Sequence, residues 1–410
     1  MGAAGRIRPG YHGGTALTNP TRRGFLAGVG MAAVAGGTLS SHAEERRRRP
    51  RLLFVSQGKT LAIQPDGAGL RPFEFQAPNQ ATWQPGPQFS DGRRLVMLSM
   101  EPRRDGPGRP FSEYYHKTPT HIWVHDLETG SLMEVANKER MAVFYTPALL
   151  LNDSRMLVQV IKESGVGQIY SMNLDGTDAR EFTRAGEGLP YGFSASPDGK
   201  RVAYHLASPQ SYQIWTCDGD GANRVRVAAA PGHLYFGTQW SPNGKWVVYV
   251  DCLSPQDPGH DWADVCVGRP DGSEHRVLTQ GQAMWFAATY GRPGNRGSGS
   301  NVPTWSRDGQ ILFPRRLPGS RVPWEFQPQR PDTDHFNRDY KPDLARGGTE
   351  ICKLHPETGK VTVLTQSDPP VWDFRCTESA DGRYIAFCRC ATGELPALWV
   401  MRGDGKGAKR

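Results

Sequence analysis

A turn of the form S-P-D-G returns along this chain at intervals of roughly fifty residues, the period of blades stacked around an axis. Clear copies stand at Ser196 to Gly199, Ser241 to Gly244, Ser306 to Gly309 and Ser379 to Gly382, with degenerate ones at Ser90-Asp91-Gly92 and Leu151 to Ser154. Each copy separates two short runs of β-branched, aromatic and aliphatic residues, the pattern of a hairpin. Gly accepts positive φ there without steric cost, while Asp or Asn accepts hydrogen bonds from nearby N–H groups. One small sheet cannot bury both its faces alone, so the units must pack on each other. The sequence therefore predicts an all-β fold, a β-propeller of four-stranded antiparallel blades, seven in number with six as the alternative. Leu52 to Arg402 is expected to form this single domain, with a flexible tail over residues 403–410.

The two ends account for the charge. Lys and Arg outnumber Asp and Glu by 49 to 41, but from Leu52 onward 40 basic residues face 39 acidic ones. A near-neutral body argues against a surface that tracks phosphates, so nucleic acid is not an expected partner. Residues 1–43 contain no acid, run apolar and Gly/Ala-rich from Phe25 to Leu39, and end in the small-x-small pattern Ser41-His42-Ala43. Thr21-Arg22-Arg23-Gly24-Phe25-Leu26 resembles the twin-arginine export signal. Its apolar stretch is too short and Gly-interrupted for a stable membrane span. The expectation is a signal peptide over 1–43, a basic linker over 44–51, and a periplasmic or otherwise exported mature protein.

Seven cysteines are an odd number for an exported chain. Cys252 with Cys266, and Cys376 with Cys388, lie on neighbouring runs that would allow pairing across antiparallel strands, although buried apolar packing suits most of the seven better.

In an up-and-down blade with strands a to d, the a–b and c–d turns lie on one face and the b–c and d–a connections on the other. On the first face nearly every connection is short, as in Leu174 to Thr177, Arg269 to Gly272 and Glu357 to Gly359. The second face receives Glu101 to Thr120, Ala230 to Thr238, Cys252 to Asp264, Gln280 to Val302 and Pro314 to Gly348. Loops of that length are costly to order and usually carry function.

The candidate chemistry falls on those loops or on the axial strands that they enter. His233, Tyr235 and Gln239 lead into one strand a, with His233 and Gln239 expected at the same channel mouth. His260, Trp285, Trp324 and His335 sit on long loops, and Trp372, Asp373 and Arg375 lead into the last strand a. Imidazoles, an amide, carboxylates and arginines around one funnel suit a divalent metal or an acidic sugar. By chemistry and location, His233, Gln239, His260 and His335 are the candidate ligands for a divalent ion, manganese or calcium. Arg375, Arg346 and Asp373 are candidate polar contacts to substrate. Trp285, Trp324 and Trp372 serve either as stacking platforms or as hydrophobic plugs. His275 and His355 fall beside c–d turns on the opposite face and are set aside.

The pattern S-P-D-G…(I/V)-(A/V)-(Y/F)…(I/L)-(W/Y)-x-(M/C)-x-x-D-G…L-T resembles the TolB-like propeller repeat over most of the chain from Leu52. A more distant similarity is to oligogalacturonate lyases, exported or intracellular propellers of that repeat class. The resemblance implies β-elimination of uronate chains at a divalent metal bound by His and Gln. In such a reaction His233 or His260 would be the base, Tyr235 a proton donor, and Arg375 or Arg346 the partner of the uronate carboxylate. It equally implies a non-enzymatic envelope scaffold. The expected partners are thus an acidic oligosaccharide or an envelope protein. There is no G-x-S-x-G elbow, which sets peptidase propellers aside.

Overall fold

The computed structural model describes residues 51–56, 59–73, 82–100, 120–135, 146–161, 167–184, 186–208, 211–253, 261–285, 301–326, 338–368 and 370–410. The architecture is a seven-bladed β-propeller with almost no helix, as the turn repeat predicts. Blades 2 to 6 are four-stranded antiparallel sheets, at 82–134, 148–181, 189–228, 235–277 and 304–363. Blade 1 (Leu52–Ser56, Lys59–Ile63, Arg71–Pro72) and blade 7 (Trp372–Glu378, Tyr384–Cys390, Ala397–Arg402) hold three strands each.

The recurring turn has a reproducible chemistry. In blade 4, Ser196 Oγ donates to Asp198 Oδ1 at 2.6 Å, and that oxygen also accepts from Lys200 N at 3.1 Å. Ser196 Oγ in turn accepts from Arg201 N at 2.9 Å. Ser241 with Asn243, and Ser379 with Asp381, repeat the arrangement. The serine is thus both donor and acceptor inside the hairpin, which is why the motif needs a hydroxyl, an Asx side chain and a glycine in that order. The Ser196 bond is the first cause holding Asp198 below the ordinary carboxylate range.

Between the blades, alternate residues of facing sheets form successive apolar cores. Tyr235, Val247, Tyr249 and Cys266 of blade 5 pack with Ala203, Ile214 and Val227 of blade 4. The opposite side of the same sheet, with Phe236, Val248, Val250 and Cys252, packs toward blades 6 and 7. This alternation explains the cysteines, all seven of which are free thiols. Cys252 and Cys266 lie in different cores on opposite sides of one sheet. Cys376 and Cys388 likewise belong to different cores.

Residues 403–410 are not a loose tail. They turn back through Gly403 to Gly407, and Lys409 bridges Val400 as a rudimentary fourth strand of blade 7. Lys409 Nζ then donates to Asp66 O of blade 1 at 2.8 Å, joining the two ends of the ring.

The axial strands carry bulges, and one of them gives a direct test. Gly237 has φ +66°, and a Cβ there would lie 2.5 Å from Val302 Cγ2 of the neighbouring blade. Gly237→Ala combines a left-handed alanine with that overlap, and is expected to lose about 2–3 kcal/mol in denaturant unfolding.

Candidate functional site

Strand a of blade 5, Tyr235–Trp240, begins on the loop-bearing face, and His233 stands just ahead of it. The segment is well fixed: Tyr212 N donates to His233 O at 3.1 Å, and Cys252 N to Leu234 O at 2.9 Å. His233 Nδ1 meets Asp251 Oδ2 at 2.5 Å, with the carboxylate 5% and the imidazole 38% exposed. Asp251 ends strand b (Val247–Asp251) directly opposite Tyr235, and its other oxygen accepts from Leu253 N at 3.1 Å. A buried carboxylate on Nδ1 leaves Nε2 as the outward nitrogen, the arrangement that orients a histidine base. Beneath the imidazole the Tyr235 ring lies nearly parallel, 5.3 Å between centroids and 9° between planes. Burial, with the Asp251 charge adding to it, pushes the Tyr235 hydroxyl well above the ordinary phenol range, so it stays protonated.

Asp251 carries no motif and was not among the sequence candidates. The available signal was an acid closing the otherwise apolar run Val247-Val248-Tyr249-Val250, opposite a tyrosine. His275, set aside from sequence as remote, is connected to the same interface. Tyr249 OH lies 2.5 Å from its Nδ1, and Tyr249 packs edge-on against Tyr235 with centroids 5.7 Å apart. Burial is the first cause lowering the His275 pKa.

The remaining candidates are placed differently from what their loops imply. Gln239 is exposed but pairs with Val248, one step from the Ser241 turn. His233 lies beyond the opposite end of that strand, so the two are separated by roughly 15–20 Å along it rather than sharing a mouth. His260 and His335 lie outside the described residues. Among the described residues no group of three or more His, Cys, Asp or Glu side chains is arranged to hold a metal ion. His233 and Gln239 therefore do not fit one coordination sphere, and no chemical step is routed here through a metal.

Trp285, Trp324 and Trp372 are 0%, 3% and 1% exposed and belong to one apolar cluster, so their rings pack the interior and present no open face for a sugar. Trp324 Nε1 donates to Asp261 Oδ1 at 2.9 Å, and Trp372 Nε1 to Thr392 Oγ1 at 2.9 Å. Asp373 is fully buried, with both oxygens taken: Arg389 grips it bidentately at 2.6 and 2.7 Å, and Thr365 Oγ1 donates at 2.6 Å. It supports blade 7 and does not face a ligand. Arg346 is exposed and bonds the Asp343 and Ala345 carbonyls.

Arg375 is the unusual one. Four residues ahead of the turn serine, blades 2, 4 and 5 carry Gly86, Gly192 and Gly237, whereas blade 7 carries Arg375. Its φ is +53°, a left-handed conformation that costs a non-glycine residue about 1 kcal/mol or more. Buried Asn301 holds it there, accepting from Arg375 N at 2.8 Å. Arg375→Gly is therefore expected to leave unfolding stability unchanged or raised by about 1 kcal/mol, unlike most arginine truncations in an axial strand.

The fold and its repeat define a β-propeller of TolB type, and residues 89–284 match the TolB beta propeller domain family. Among solved structures the chain is similar to TolB from Acinetobacter baumannii, at 14% identity over 74% of this chain and 58% of that chain, TM-score 0.44. It is also similar to an oligogalacturonate lyase from Vibrio parahaemolyticus, at 10% identity over 92% of both chains, TM-score 0.54. A third is a puromycin-hydrolyzing peptidase from Mycobacterium tuberculosis, at 12% identity over 92% of this chain, TM-score 0.51, of which the chain spans only 55%. No curated protein sequence matches the chain. At these identities the likeness concerns the scaffold, which serves many activities. Among the described residues no helix is long and apolar enough to cross a membrane.

Proposed function

We propose that this protein is an exported propeller that takes an acidic oligosaccharide on its loop-bearing face and cleaves it by β-elimination, with His233 as the base. The observation that carries the proposal is the His233–Asp251 pair: a half-exposed imidazole whose Nδ1 is held by a buried carboxylate on that face. The architectural likeness to an oligogalacturonate lyase over 92% of both chains is compatible with it. Export rests on the N-terminal sequence.

In this scheme His233 Nε2 removes the proton from the carbon beside the uronate carboxylate. The electron pair left behind forms the new C=C bond as the glycosidic C–O bond breaks, and the departing oxygen is protonated. Asp251 stabilises the imidazolium, while Tyr235, buried under the ring, fixes its plane rather than donating to substrate. Arg375, held at an energetic cost on the innermost strand, is assigned to the substrate carboxylate, which a guanidinium matches bidentately. The second reading, binding without turnover as a scaffold, is favoured by the separation of Gln239 from His233.

The test is to incubate the purified protein with uronate polymers and follow ultraviolet-absorbing unsaturated product, with binding measured in parallel. Product lost in His233→Ala supports the lyase. Binding that depends on Arg375 without product selects the scaffold, and neither product nor binding overturns both readings.

A further inference from the structure

Blade 1 is built from the outer three strand positions. Arg71–Pro72 leads into strand a of blade 2 and is therefore strand d, which makes Lys59–Ile63 strand c and Leu52–Ser56 strand b. Among the described residues no strand occupies the innermost position beside Leu52–Ser56. The register identifies which main-chain groups face that place. Val55 pairs with Thr60 and Leu53 with Ala62. Thr60 O accepts from Phe73 N, on the side of strand d. A residue's N–H and C=O point to the same edge, so Val55 and, two residues earlier, Leu53 direct theirs away from strand c, toward the axis. Two donors and two acceptors thus line an inner edge, beside a core that already buries Leu53 with Leu95, Met97 and Trp123.

The surrounding charge is positive. Arg51 and Arg71 are close enough that the Arg71 charge, after burial, lowers the Arg51 pKa. Lys409 reaches the adjoining Asp66 turn. These groups lie at the end of the edge where strands a and b would meet, so an antiparallel guest strand would bring its C-terminal end to them. The chain's own preceding residues, Arg46 to Arg49 and Pro50, suit the place badly, because four consecutive cations would add to that repulsion and proline interrupts pairing.

We propose that this edge captures an extended peptide from another protein as the missing inner strand of blade 1, antiparallel to Leu52–Ser56 and with acidic residues at its C-terminal end. The main chain supplies affinity, and the cationic end supplies direction and selectivity. The proposal is independent of the carbohydrate site.

The experiment uses two N-terminally fluorescein-labelled peptides, TVTVTDE and TVTVTKK, with fluorescence anisotropy on the mature protein and hydrogen exchange on the same sample. The acidic peptide is expected to bind about tenfold or more tighter than the basic one, and to slow exchange at the Leu53 and Val55 amides. Val55→Pro, which removes an edge donor without touching a bond to strand c, should weaken binding by about tenfold or more. Arg51→Glu should reverse the peptide preference, and it serves as the working test should the proline variant fold poorly. Equal binding of both peptides, amides already protected in the free protein, or self-association abolished by Val55→Pro would each overturn the proposal. The last would place a second copy of the chain on the edge.

Discussion

Replacing Arg389 by methionine is expected to destabilise the protein by about 3–5 kcal/mol, since it leaves a buried carboxylate without its cation. Asp373 is 0% and the Arg389 side chain 13% exposed, and the pair closes with two bonds under 2.8 Å. The guanidinium also lies 4.9 Å from the Trp399 ring centroid, so the contact joins the first two strands of blade 7 to the third. Burial raises the Asp373 pKa despite the opposing Arg389 and Thr365 bonds. A raised carboxylate favours folding most when protonated: its contribution is complete below the unfolded value and is lost as pH rises through the folded one. Removing Arg389 widens that window. The deficit of Arg389→Met relative to wild type should therefore be largest near about pH 7 and shrink toward about pH 4, and Asp373→Asn added to it should recover part of the loss at neutral pH. Urea unfolding of the three proteins at both pH values checks this. A deficit that is independent of pH and unchanged in the double variant would mean that packing, not charge, is what Arg389 supplies.

The blades were legible because their turn is local chemistry. Ser196, Asp198 and Gly199 satisfy one another within a few residues, so the motif survives in sequence and predicted sheet limits within a few residues of those observed. What was not legible depended on distance in sequence. Gln239 and His233 are six residues apart and look like neighbours at one mouth, yet an axial strand separates them because it runs from one face to the other. Asp251 is eighteen residues from His233, and only the register of strands a and b brings the two together. Long loops made Trp285, Trp324 and Trp372 look like surface platforms. Their burial follows from the large apolar core under blades 5 to 7, which needs side chains of that volume. Arg375 was found for the wrong reason, as one arginine among several near the mouth. Its distinction, an arginine in the repeat position where other blades use glycine, is visible in the aligned turns but acquires meaning only with its φ.

His233→Ala is expected to lower kcat on a uronate polymer by about 10²–10⁴-fold while leaving substrate affinity near wild type, the pattern of a group needed for proton transfer and not for binding. Asp251 acts through His233 and separates two contributions. Asparagine at 251 retains an oxygen able to accept from Nδ1–H but lacks the charge that stabilises the imidazolium, so Asp251→Asn should lose about tenfold to a hundredfold in kcat with KM little changed. Alanine at 251 also releases Leu253 N, where the connection to strand c begins, so Asp251→Ala should raise KM and lower stability as well. A dyad that merely ties two loops together would behave differently: both substitutions would shift Tm and KM in parallel, and the asparagine variant would keep its turnover. Nitrogen-15 spectra of the imidazole give a readout that needs no substrate, since the wild-type proton should sit on Nδ1 and that preference should weaken in Asp251→Asn. A wild-type His233 protonated at Nε2 in its neutral form would remove the base from the proposed reaction.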